Sequence, residues 1–199
     1  MRFRCQWRPN EILATDPDIE RFIKMKIWDI VADTNDGHPV EVLRFRNYHP
    51  AAFTTEQFTR AIIYHRERVL DRLTKQVNDT VSNHEEFVLR ERSLIIFDAE
   101  GWKVGDQGTA TGMRHIRTLI DILTKQYCET LGVGAIVYAP VVFRWAWAVI
   151  RPWMDSETSN RVVFVTNMDE ILELVDASKI STRYGGALEE TEAAKVDGT

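Results

Sequence analysis

Three short apolar runs constrain this chain more than any other feature: Ser93 to Phe97, Ala135 to Ala139 and Arg161 to Thr166. Val162, Val163, Phe164 and Val165 form the centre of the third. Strands covered on both faces read this way, because neither face has to meet water. The segments between them carry helical periodicity. Met113, Ile116, Ile120, Leu123 and Tyr127 step by three or four, and Gly132 is placed to end that helix. Val142 to Met154 is dense in aromatics and reads as helix up to Arg151-Pro152, with a short helix following over Met168 to Val175. Strands alternating with helices imply crossover connections and a mainly parallel sheet flanked by helices. The expected fold class is α/β.

The upstream half fits the same plan. Asp33 to Gly37 is a turn, and Val40 to Phe45 follows it as a strand, with Val40 and Val42 on one face and Glu41, Leu43 and Phe45 on the other. Thr54 to Val77 reads as a long helix: Phe58, Ile62, Val69, Leu73 and Val77 recur at helical spacing, and Thr54 and Gln57 have the spacing of a capping box. Residues 10–27 read as a short amphipathic helix with a candidate break at Pro17. Residues 78–86 are polar and read as a loop, and 187–199 as a small, acidic, disordered tail. The expected division is therefore a short helical segment over 1–27, one domain over 28–186 and a tail over 187–199.

Composition narrows the function. The 199 residues carry a net charge of -5, which argues against nucleic acid as a partner, since binding there draws on a basic surface. Cys5 and Cys128 match no metal or redox spacing and read as free thiols. With no apolar run long enough to span a bilayer, and no signal-like segment, a soluble cytoplasmic protein is expected. Enzyme signatures are missing. Gly105, Gly108 and Gly112 have neither dinucleotide-loop nor P-loop spacing and read as a flexible connection. No G-x-S-x-G elbow occurs. Histidines 38, 49, 65, 84 and 115 are scattered, so no metal site is expected. Asp98 and Glu100 end a strand, where catalytic carboxylates often sit in α/β folds, but no base or metal accompanies them and a structural role is expected. These readings favour a binding protein without a cofactor over an enzyme.

Six ordered motifs then become specific. They are Asp36-Gly37-His38-Pro39-Val40; Ile95-Ile96-Phe97-Asp98-Ala99-Glu100-Gly101; Tyr127-Cys128-Glu129; Tyr138-Ala139-Pro140-Val141-Val142-Phe143; Arg151-Pro152-Trp153-Met154-Asp155 with Thr158 and Arg161; and Tyr184-Gly185-Gly186. In this order the chain from Trp28 to Gly186 resembles the CRAL-TRIO family, the lipid-exchange domain of phosphatidylinositol/phosphatidylcholine transfer proteins. His38, Cys128 and Tyr138 depart from the family's Arg, Pro and Asn. The resemblance implies a phospholipid ligand, a transient membrane surface as partner and a mobile apolar gate helix over a lipid pocket. It implies headgroup roles for Glu129 and Arg161. Ser93 matches one of the hydroxyls that contact phosphatidylcholine, but Ile95 stands where a second belongs, so phosphatidylinositol is favoured.

Residue chemistry supports the same picture. Two acyl chains have roughly thirty methylenes, each worth about 0.8 kcal/mol out of water, so a carrier must offer a comparably apolar pocket. The expectation is a large cavity walled by the three apolar runs and covered by Phe143 to Met154. Its pocket and gate residues are Phe97, Tyr138, Phe143, Trp147, Ile150, Trp153, Met154 and Val163. Tryptophan suits membrane interfaces, and the polar stretch Asp155 to Asn160 is read as a hinge loop. A fully buried core helix at 142–154 is the alternative. A regulatory module binding a small GTPase or another protein on the same scaffold is the rival function.

Overall fold

The structure is a computed structural model and describes residues 16–80, 92–127 and 130–189. Its centre is a five-stranded sheet in the order β1-β2-β3-β4-β5, formed by Trp28–Asp33, Pro39–Arg44, Ser93–Asp98, Leu131–Val137 and Val162–Phe164. The β1–β2 pair is antiparallel and the other three pairings are parallel. The helices are α1 (Pro17–Lys24), α2 (Thr55–Thr80), α3 (Ala110–Lys125), α4 (Val141–Ile150), α5 (Ser156–Asn160) and α6 (Asp169–Leu172).

Strand periodicity divides the core in two. Leu43, Ile95, Ile136 and, partly buried, Phe97, Val162 and Phe164 face one way, where they meet side chains of α2, α3 and α4. Val40, Val42, Leu94, Ile96, Ala135 and Val137 face the other, covered by Ile171, Val175, Ile180 and Tyr184 of the C-terminal segment. Both faces are covered, so the strands are mostly apolar on both sides.

The capping box forms as the spacing requires. The Thr54 N–H donates to Gln57 Oε1 at 2.8 Å and the Gln57 N–H to Thr54 Oγ1 at 3.2 Å. Other expectations need correction. Pro17 opens α1 instead of breaking it, with the Asp16 side chain accepting from the Asp18 N–H; proline lacks only an N–H that the first turn leaves unpaired anyway. Residues 10–15 of that reading lie outside the described residues. The helix α2 continues to Thr80, past the expected loop start, and the remainder of that loop, like the tail from 190, is outside them too. Gly132 sits inside β4, and α3 ends earlier, at Lys125.

The glycine-rich connection before α3 is packed against the core. Trp102 and Gln107 are buried. Gln107 Nε2 donates to the carbonyls of Phe45 at 3.0 Å and Tyr48 at 2.8 Å. A Cβ at Gly112 would lie 2.1 Å from the Gln107 carbonyl oxygen, so only glycine lets α3 start this close to the loop.

Candidate functional site

A cavity of about 210 Å³ lies between α3, α4 and the helix-covered face of the sheet. Its floor is Phe97 of β3, Ile136 of β4 and Val162 of β5; Ile116, Leu119, Ile120 and Leu123 of α3 form one wall, and Phe143, Trp147 and Ile150 of α4 the other. Gly134 keeps the floor continuous, since a Cβ there would lie 3.0 Å from the Phe97 ring and 3.1 Å from Val162 Cγ2. The polar lining comes almost entirely from one stretch, Asp155, Glu157, Thr158 and Arg161. Asp155 and Glu157 are exposed, so this stretch is the rim.

The rim is built by α5. Asp155 caps it, its carboxylate accepting from the Thr158 N–H and hydroxyl, both at 2.8 Å. These bonds, the backbone one foremost, hold the Asp155 carboxyl below the usual carboxylate range. Arg161 follows the last turn. Its Nη1 donates to the Leu131 carbonyl at 2.8 Å and its Nη2 to the Glu157 carboxylate. Asp155 to Asn160 is thus a capped helical turn, not the hinge loop expected.

Of the residues expected at the site, Phe97, Phe143, Trp147, Ile150, Met154 and Arg161 line the cavity. Four others do not. Val163 is 43% exposed because strand alternation turns it away from its lining neighbour Val162. Tyr138 is on the surface at the β4–α4 corner with φ 52°, its hydroxyl donating to the Arg183 carbonyl. The family pattern carries asparagine there, a residue that adopts left-handed backbone more readily. Trp153 packs beside Ile116, Ile120 and Ile150, with the Arg117 guanidinium 5.7 Å from its ring centroid. Ser93 is buried and donates to the Thr130 carbonyl at 3.1 Å. Glu129 lies outside the described residues. Residues 155–158 supply a rim the sequence reading placed in a hinge, and Phe45 and Leu119 join the lining from elements read only as core.

The cavity has the expected place but a smaller volume. Sites for drug-sized ligands run from about 300 to 1,000 Å³, and a two-chain lipid is larger. Phe143, Trp147 and Ile150 line the cavity on the α4 side. Phe143 is fully wedged, with ring centroids 5.8 Å from Phe45, 5.6 Å from Trp102 and 6.4 Å from Phe164. Nor is α4 a buried core helix. Its outer face presents Val141 (75% exposed), Trp145 (76%) and Val149 (56%) to solvent, flanked by exposed Arg144 and Arg151. Among the described residues no helix is long and apolar enough to cross a membrane, and no cluster of ligating side chains could hold a metal.

Two ionic networks around buried carboxylates lie outside the cavity lining. Glu41 of β2 accepts from Arg66 Nη1 at 2.6 Å and His65 Nε2 at 2.8 Å, both on α2, and Arg66 Nη2 reaches Thr130 Oγ1 at 2.8 Å. At the end of β3, Asp98 accepts from Arg183 and Tyr184 of the C-terminal segment. The carboxylate that ends the strand therefore has a structural role.

Comparison with known proteins agrees with this architecture. The CRAL/TRIO domain family matches residues 29–186, and the chain belongs to that family. A phosphatidylinositol transfer protein, CSR1 of Eremothecium gossypii, is 25% identical over 154 residues, which are 76% of this chain and 31% of that protein. A phosphatidylinositol/phosphatidylcholine transfer protein, SFH7 of Arabidopsis thaliana, is 31% identical over 99 residues, 48% of this chain and 18% of that one. This chain thus spans a third or less of these two relatives. The crystal structure of Sfh5 shares the fold, with a TM-score of 0.70 at 19% identity over 99% of this chain and 66% of that one.

Proposed function

We propose that this domain takes one phospholipid, with phosphatidylinositol preferred, into the cavity between α3 and α4 and exchanges it while α4 is docked on a membrane. The observation that carries this reading is the two-sided apolarity of α4. Phe143, Trp147 and Ile150 close the cavity on its inner side, while Val141, Trp145 and Val149 meet solvent on its outer side. A helix that only covered a core would turn a polar face outward. Acyl chains leaving through water would expose every methylene, at about 0.8 kcal/mol each. A docked gate lets them pass from one apolar medium to another, and its outward movement enlarges the cavity to lipid size.

The headgroup stays at the rim. Arg161 offers a planar guanidinium suited to a phosphodiester, Thr158 adds a hydroxyl, and Glu129 of the Tyr127-Cys128-Glu129 motif is assigned to inositol hydroxyls. Arg144 and Arg151 flank the docking face, where anionic lipid attracts them. The relatives named as phosphatidylinositol transfer proteins support the ligand class. The experiment is transfer of labelled phosphatidylinositol from donor to acceptor vesicles. The domain accelerates transfer, and Arg161→Ala slows phosphatidylinositol more than phosphatidylcholine. No acceleration by the folded protein contradicts the reading.

A further inference from the structure

Arg161 is the one cation among the described residues lining the cavity, and it shares the rim with two carboxylates. Asp155 is committed to Thr158, from which it accepts two hydrogen bonds. Among the described residues the Glu157 carboxylate is paired with Arg161 alone: it takes Nη2 while the Leu131 carbonyl holds Nη1. A guanidinium binds a phosphate best through two neighbouring N–H groups. In the rim both terminal nitrogens already donate, Nη1 to Leu131 and Nη2 to Glu157. Leu131 is backbone and fixed in β4, whereas the Glu157 side chain is 73% exposed and free to swing away.

Resting on the phospholipid reading above, we propose that Glu157 is a displaceable counter-ion that occupies the phosphate seat on Arg161 and thereby sets which headgroups enter. A pair of this kind, joining a five-residue helix to the residue that follows it, adds little to stability, so helix support alone does not account for its place at the rim. An incoming phosphodiester takes Nη2 and releases Glu157. The freed carboxylate then accepts hydrogen bonds from headgroup hydroxyls, which suits a polyol. Further phosphate groups on that polyol face Glu157 and Asp155 together and are repelled. Glu157 thus selects a headgroup with one phosphodiester and free hydroxyls against more highly phosphorylated forms.

The test is loading of the full chain from phosphatidylcholine vesicles doped with phosphatidylinositol or with phosphatidylinositol monophosphate, read by mass spectrometry of the recovered protein. Glu157→Gln raises phosphatidylinositol loading about fivefold, the effect of one fewer negative charge a few ångströms from the phosphate in a watery rim. It raises monophosphate loading by more. The gain disappears when Arg161→Ala is added, and the exposed control Glu170→Gln shows none. Unchanged loading by Glu157→Gln, or an equal gain with Glu170→Gln or in the Arg161→Ala background, overturns the proposal while leaving the phospholipid site intact. A wild-type chain that loads phosphatidylcholine but no phosphatidylinositol overturns the headgroup assignment and this proposal together. One that loads neither lipid overturns the cavity reading itself.

Discussion

Arg183 grips Asp98 with two hydrogen bonds, Nε to Oδ2 at 2.7 Å and Nη2 to Oδ1 at 3.0 Å, joining residues 85 positions apart. The Tyr184 hydroxyl donates to the same carboxylate at 3.0 Å. Burial works against charge on Arg183, but Asp98 more than offsets it and raises the guanidinium above its ordinary pKa. The pair ties the C-terminal segment across the end of the parallel sheet, so two motifs far apart in sequence, Asp98-x-x-Gly101 and Tyr184-Gly185-Gly186, are one contact in space.

Removing Asp98 takes the buried acceptor from both Arg183 and Tyr184 and leaves the guanidinium only the half-exposed Glu100 carboxylate, at a cost of about 3–5 kcal/mol. At about 2–4 °C per kcal/mol for a chain of this size, Asp98→Ala lowers Tm by roughly 6 °C or more. Thermal unfolding followed by circular dichroism checks this, and an unchanged Tm contradicts it.

Glu41 predicts acid sensitivity. Burial alone would raise its pKa, but the Arg66 charge and the His65 hydrogen bond outweigh it and bring the carboxyl down to about 2. A carboxyl depressed in the folded state contributes stability that is present above its unfolded pKa of about 4.3. That contribution is lost as pH falls through the folded value of about 2. Urea unfolding at a series of pH values therefore shows stability falling by a few kcal/mol across this window. Glu41→Gln is less stable at neutral pH and shows a shallower acid dependence.

The outer face of α4 separates docking from folding. Trp145→Ala together with Val149→Ser weakens sedimentation with anionic vesicles severalfold, yet changes stability by no more than about 0.5 kcal/mol each, as for other exposed sites. Trp147→Ala does the reverse, because Trp147 lines the cavity and packs edge-on to Phe164 at 5.9 Å. Equal vesicle binding by the Trp145/Val149 variant and the wild type contradicts the docking assignment.

Much of this was legible because it is periodic. The helical stripe from Met113 to Tyr127 and the two-sided strands around Ile95 and Ile136 announce a covered parallel sheet, and ordered motifs point to the family. What escaped depends on side-chain direction or on distant partners. The strand Trp28–Asp33 was missed because its Asp29, normally a surface residue, is buried against Arg44 at 2.7 Å. Three tryptophans within nine residues of the 142–154 segment looked equivalent, but helical phase sends Trp145 outward and Trp147 inward. Val162 and Val163 differ by one step of a strand, and only the first reaches the cavity. Ser93 had the right identity for a headgroup contact but is drawn into the buried hydrogen bonds around Thr130.

The central claim is that the space between α3 and α4 holds one phospholipid, and its most direct measurement is native mass spectrometry after incubation with phospholipid vesicles. The wild-type chain is predicted to carry a single adduct of phospholipid mass. Leu123→Trp, which fills the cavity from the α3 side at an overpacking cost of about 1–3 kcal/mol, is predicted to remain folded and carry none. A wild-type chain recovered only at its bare mass, or an adduct retained in full by Leu123→Trp, contradicts the account.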